Sequence, residues 1–283
     1  MSNHPLGPKL DRFLPGVTLL TCMLPGSYDF PVTSALVCGS RHKVVVDTLI
    51  RPADMAPFAG ATHVLYTHYD WDHCWGTAAF PQVPVIGHRL TRERLANSAV
   101  EANRQKRQAG DPEGYAGSQI ILPDLTFDSR LSIDAGGHTL DLHHLPGHTA
   151  DSIVVHVPEL DLLLAGDAVE EPLPSLNEVG QIRAWGRELR RWCGAGLKHV
   201  VPGHGEPGGL GLLEQNATYI EGLVDGAERM LAQGHTLEEI QVEIPIEAIL
   251  PPSVIAGLPG YYPEQHKENI AKVVAELLGG AAE

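Results

Sequence analysis

The chain carries little positive charge for its length. Its 283 residues hold 20 Lys and Arg against 35 Asp and Glu, a formal net charge of −15. Nucleic-acid binding needs cations to neutralise phosphates, and no basic stripe is present to do so, so a nucleic-acid partner is not expected. A small anionic substrate stays open, because a bound metal cluster can reverse the local field. Long apolar runs are also missing. None approaches the roughly eighteen residues of a membrane span, and residues 1–13 are polar, contain proline and have no apolar signal core. No membrane partner is expected. Cysteine is sparse, at four scattered positions (Cys22, Cys38, Cys74 and Cys193) with no CxxC pair. Such thiols read as reduced and mostly buried, which fits a cytoplasmic protein.

What the chain has in abundance is histidine, 15 residues in all, within an ordinary globular composition of 43% apolar and 19% charged residues. The length suffices to bury a sizeable core. The first half reads as short apolar strands at 17–24, 34–38, 43–49, 61–67 and 83–87, with Gly39 and Ser40 marking a hairpin. Residues 91–117 are polar, helix-prone up to about 108 and poorly amphipathic, which predicts a helical flap over a site. Further strands are expected at 125–132, 139–145, 152–157, 162–165 and 199–201, and a helix at 178–193. From 206 to 283 the chain reads as mainly helical, with a capping box at Thr236 and Glu239 and a last helix at about 263–278. No linker interrupts it, so a single α/β domain spanning 1–283 is expected.

The densest chemistry is His68-Tyr69-Asp70-Trp71-Asp72-His73, directly after an apolar strand. In extended backbone, residues two apart point the same way, so His68 and Asp70 can grip one metal, and Asp72 and His73 can point at a second. Three more polar residues stand in glycine-marked turns at strand ends. They are His148 in Pro146-Gly147-His148-Thr149, Asp167 in Ala165-Gly166-Asp167, and His204 in Pro202-Gly203-His204-Gly205. Small neighbours let the backbone approach a metal and present the ligand from a tight turn.

These strings, in this order, resemble the metallo-β-lactamase superfamily, whose pattern is H-x-H-x-D-H, then PGHT, then GD, then GHG. The likeness runs from about Val17 to Gly205. It implies an αββα sandwich of two mixed β-sheets flanked by helices, with a dinuclear site at one edge. Carried over residue by residue, His68, Asp70 and His148 would hold the first metal. Asp72, His73 and His204 would hold the second, Asp167 would bridge, and Asp72 and Asp167 would also serve catalysis. The implied activity is hydrolysis of a small-molecule ester, thioester, lactone or related substrate by a metal-bridged hydroxide.

The chain departs from the pattern at Asp70, where the family usually has histidine. A carboxylate is a harder ligand and adds one negative charge. Two divalent ions, three aspartates and one hydroxide then sum to zero, which should reduce Lewis acidity. Zinc is the expected metal, and Asp70 also admits iron or manganese. Flavodiiron proteins show a similar exchange, so oxygen or redox chemistry on two irons is the alternative, followed by a non-catalytic binder. Without an export signal, β-lactam hydrolysis is not favoured. Of the other histidines, His63, His88, His143, His144, His156 and His199 read as structural, and Cys74 as a packing residue. Tyr69 and Trp71 either line the mouth or pack beneath the loop. Tyr261 and Tyr262, in a Pro- and Gly-rich loop, could belong to a lid, and His266 has no evident partner.

Overall fold

A computed structural model describes residues 8–26, 30–258 and 260–279. Residues 1–7 of the polar N-terminal segment, and Pro259 of the tyrosine loop, lie outside the described residues. The first sheet has seven strands in chain order: β1 (Lys9–Leu14), β2 (Val17–Met23), β3 (Pro31–Cys38), β4 (Lys43–Val46), β5 (His63–Leu65), β6 (Val85–His88) and β7 (Leu125–Phe127). Pairings are antiparallel up to β4 and parallel from there to β7. The second sheet takes β8 (Arg130–Asp134), β9 (Thr139–His144), β10 (Ile153–Val157), β11 (Leu162–Gly166) and β12 (His199–Pro202), with only β11 and β12 parallel. The helices are α1 (Trp71–Cys74), α2 (Arg89–Leu95), α3 (Ser98–Gly110), α4 (Ile182–Trp192), α5 (Leu210–Ala232), α6 (Leu237–Glu243), α7 (Pro252–Ile255) and α8 (Tyr262–Leu277).

Strand periodicity sorts the apolar side chains into layers. Val44 and Val46 of β4 and Leu162 and Leu164 of β11 fill the space between the sheets, whereas Val45 and Leu163 point outward. Because both faces are covered, these strands read as unbroken apolar runs. The outer face of the first sheet packs with Val45, Val64 and Tyr66 on Met55, Phe58 and Trp75. The outer face of the second packs with Val154, Leu163 and Val200 on Trp185, Ile220 and Ile270 of α4, α5 and α8. The expected αββα sandwich is therefore the observed fold. Among the described residues no helix is long and apolar enough to cross a membrane.

Three local expectations need correction. The strand expected at 125–132 is two strands, β7 and β8, in different sheets. Phe127, Leu131 and Ile133 all face the shared core, so the alternation continues while the chain changes sheet at Asp128 and Ser129. The helix expected over 91–108 is α2 and α3, split where the Asn97 side chain accepts from the Ala99 N–H and starts a new helix. The strand expected at 43–49 stops at Val46, because Asp47 and Leu49 adopt positive φ of 61° and 55°.

Candidate metal centre

All seven residues singled out in the sequence meet at one end of the two sheets. His68 to His73 follow β5, His148 follows β9, Asp167 follows β11 and His204 follows β12. Parallel strand ends explain why Asp167 and His204 come together from distant sequence. Their glycines are sterically required. A Cβ on Gly203 would collide with Asp167 Oδ1, and Gly166 has φ of +50°, a conformation that suits glycine.

The imidazoles share one orientation. Each uses Nδ1 to hold on to the scaffold: His68 donates to Thr67 Oγ1 at 3.0 Å, His73 to Asp47 Oδ2 at 2.9 Å, His148 to the Ser175 carbonyl at 3.0 Å, and His204 to the Pro31 carbonyl at 2.8 Å. With the proton fixed on Nδ1, each Nε2 turns a lone pair inward. Around those nitrogens lie the carboxylates. Asp70 Oδ2 is 3.6 Å from His68 Nε2 and 3.2 Å from His148 Nε2. Asp72 Oδ2 is 3.3 Å from His204 Nε2 and 3.8 Å from His73 Nε2. Asp167 reaches both groups, with Oδ2 3.6 Å from His68, 3.4 Å from His148 and 3.3 Å from His204, and Oδ1 3.1 Å from His73. Among the described residues four groups have metal-ligand spacing: the triads His68–Asp70–His148 and Asp72–His73–His204, and two that share Asp167, His68–His73–Asp167 and His148–Asp167–Glu170.

The donor set suits cations. His68 Nε2 and Asp167 Oδ1 are buried without a hydrogen bond of acceptable geometry, as ligand atoms awaiting an ion would be. The electrostatics agree. Burial opposes protonation of His148, yet Asp167 and Asp70 outweigh it and push it up to about 10. Burial likewise opposes protonation of His204, but Asp167 and Asp72 push it up to about 9. Burial also opposes ionisation of Asp70, but His148 and His68 hold it well below the usual carboxylate range. The carboxylates demand positive charge here, and divalent ions would supply it in place of protons.

Several residues that matter here had no motif to reveal them. Asp47, buried at the end of β4, accepts from the Thr67 N–H and Oγ1–H, both at 2.7 Å, as well as from His73. A carboxylate closing the apolar run Val44-Val45-Val46 was the available signal. Glu170 is buried 3.6 Å from His148 Nδ1, accepts from the Ser175 N–H, and is raised to about 7 by burial and by Asp167. Asn177 lays its amide 2.9 Å from His148 Nε2.

The other candidates lie outside the cluster. His143 and His156 pack on Trp192, His199 on Phe13, His63 against His42, and His88 stacks on His144 at 4.0 Å. Cys74 Sγ donates toward the Tyr69 and Asp70 carbonyls and so holds the loop. Tyr69 packs under Arg94, and Trp71 under Arg107 of α3. His266 is bound on both sides, by Tyr219 Oη at 2.9 Å and the Ile244 carbonyl at 2.7 Å.

Above the cluster opens a cavity of about 480 Å³, lined by Asp70, Trp71, Asp72, His148, Asp167 and His204 at its floor, with Tyr261 on its wall. No residue of 91–117 lines it; that segment reaches it only through Trp71.

The family model of the metallo-beta-lactamase superfamily matches residues 27–204, which span all seven candidate ligands. The chain belongs to the metallo-beta-lactamase superfamily. Within it, the chain is 28% identical over 160 residues to an acyl-coenzyme A thioesterase of Bos taurus, covering 47% of this chain and 57% of that protein. It is 25% identical over 177 residues to the atrochrysone carboxyl ACP thioesterase of Claviceps purpurea, covering 59% and 49%. The chain thus spans about half the length of the curated relatives it matches. A metallo-beta-lactamase family protein of Thermus thermophilus superposes with a TM-score of 0.66 at 18% identity, over 93% of this chain and 92% of that one. The superfamily supplies hydrolase relatives and a fold whose sheet edge carries candidate metal ligands.

Proposed function

We propose that this member of the superfamily is a dinuclear metal-dependent hydrolase of a small-molecule ester, thioester or lactone, working as one domain in the cytoplasm. The observation that carries the reading is the convergence of four inward Nε2 atoms and three carboxylates beneath one cavity. His68, Asp70 and His148 would hold one ion, Asp72, His73 and His204 the other, with Asp167 between them. Zinc is the metal proposed first; the third carboxylate, Asp70, also suits iron or manganese. Bound divalent ions would supply water ionised near neutral pH and Lewis acidity toward a substrate oxygen.

The protein's own groups do the remaining work. Asp47, Thr67, Ser175 and Pro31 fix the four imidazole tautomers and orientations, so no reorganisation is needed as charge develops. The Asn177 amide, at the Asp70–His148 side of the floor, offers a donor to the substrate oxygen. Leu24, Phe30 and Tyr261 give one side of the cavity a largely apolar lining. The thioesterase relatives support an acyl thioester or ester over a phosphodiester, and all four cysteines are free.

Elemental analysis of protein purified without added metal tests the reading together with turnover of ester and thioester panels. About two zinc ions per chain and turnover are expected. Two irons with reductant-dependent oxygen consumption, and no ester turnover, would replace hydrolysis by the redox reading that Asp70 keeps in view.

A further inference from the structure

One wall of the cavity is a single stripe of α8 and the residue that caps its start. Tyr261, Gln265, Glu268 and Lys272 line it, spaced four, three and four apart, and so share one helix face for about 16 Å at ~1.5 Å per residue. The two ends of the stripe differ in chemistry. At Tyr261, Phe30 stands edge-on at 6.0 Å and stacks on His204 at 4.3 Å, and Leu24 completes an apolar corner. At the other end stands Lys272, the one cationic side chain among the described residues that line the cavity.

Lys272 is half-buried and, among the described residues, has no ion pair or hydrogen bond. Glutamates lie one turn away on both sides, yet neither takes it. Glu276 accepts from the backbone N–H groups of Gly180, Ile182 and Arg183 instead. Glu268 lines the cavity beside it without pairing. Lys267, on another face of the same helix, does pair, with Glu264 at 2.8 Å. An ammonium left without a partner at a cavity wall is available to donate a charge-assisted hydrogen bond to a ligand anion. In a chain of net charge −15, with Asp70, Asp72, Asp167, Glu170 and Glu268 also facing the cavity, an anion has one place to go.

Resting on the hydrolase reading above, we propose that Lys272 is an anion subsite that selects substrates with a carboxylate or phosphate group on one side of the scissile carbonyl. The apolar group on the other side occupies the Leu24–Phe30–Tyr261 corner. The candidate ligands and Asn177 line the same cavity, so a substrate that fills both ends presents its carbonyl to them. Lys272 fixes specificity and takes no part in bond breaking.

The test compares two esters of one leaving group, 4-nitrophenyl butyrate and the 4-nitrophenyl monoester of glutaric acid, on the metal-loaded protein. The anionic ester is expected to have a kcat/KM at least tenfold higher than the neutral one, and the ratio should narrow with salt. Lys272→Met should bring the ratio near one through KM, while Lys272→Arg keeps most of it. Inhibition by free glutarate against inorganic phosphate distinguishes carboxylate from phosphate as the preferred anion. An unchanged ratio in Lys272→Met would overturn the assignment. If neither ester turns over, the hydrolase reading falls and calorimetry with glutarate decides Lys272 separately. Tenfold weaker binding to Lys272→Met upholds the subsite, and equal binding removes it.

Discussion

The two halves of the candidate metal centre are held by different parts of the molecule. The Asp72–His73–His204 half is anchored in the sheets. His73 leans on Asp47, which is 2% exposed and locked by Thr67 at the head of the metal loop, and His204 leans on the Pro31 carbonyl at the start of β3. The His68–Asp70–His148 half is more open, with the Asp70 side chain 17% exposed against 6% for Asp72. Its His148 leans on Ser175, in a loop held from outside the sandwich. Asn269 of α8 accepts from the Leu176 N–H and donates to the Pro174 carbonyl. That asparagine lies beyond residues 27–204, the part of the chain that matches the family model. A sheet-bound half gains rigidity, whereas a helix-bound half ties its geometry to the wall that carries Lys272.

Removing the group common to both halves should have the largest effect. Asp167→Ala is expected to hold less than one tightly bound metal per chain, and two tight ions in that variant would refute the shared role. Asp47→Asn keeps the shape but weakens the acceptor behind His73. It should lower affinity for one ion of the pair by about 10–100-fold, seen in a metal titration as one site lost before the other. Equal weakening of both would show that the halves are not separable.

Asn269→Ala removes the bonds to Pro174, Leu176 and Tyr219. It should lower stability by about 1–3 kcal/mol in denaturant unfolding and weaken the opposite ion from Asp47→Asn.

The smallest effect is one of pH on the metal-free protein. His148 and His204 are raised to about 10 and about 9. Their protonation therefore stabilises the fold fully below pH ~6.5, the unfolded value, and this contribution is lost as pH rises through 9 to 10. Melting of the metal-free protein should fall over that range, and the metal-loaded protein should not follow it.

Much of this was legible in the chain. Most strands could be read from short apolar runs bounded by turn residues, and the seven candidate ligands from short strings, because each stands just beyond an apolar strand. The break between β7 and β8 was not legible, since Phe127, Leu131 and Ile133 keep one alternation while changing sheets. Glu170 and Asn177 were equally hidden, because a lone carboxylate or amide has no spacing to betray it, and Asp47 showed only as the carboxylate that closes Val44-Val45-Val46. His266 looked partnerless only because Tyr219 and the Ile244 carbonyl are distant in sequence.

The sequence by itself determined which side chains can bind cations and at which strand ends they stand, because residue type and local periodicity are properties of short segments. Only the tertiary structure decided which nitrogen of each imidazole faces inward, which carboxylate reaches both triads, and that Lys272 shares a cavity with His68's neighbours about two hundred residues away. Those are matters of distance between segments, and distance is set by how the sheets and α8 pack, through contacts that no local pattern records.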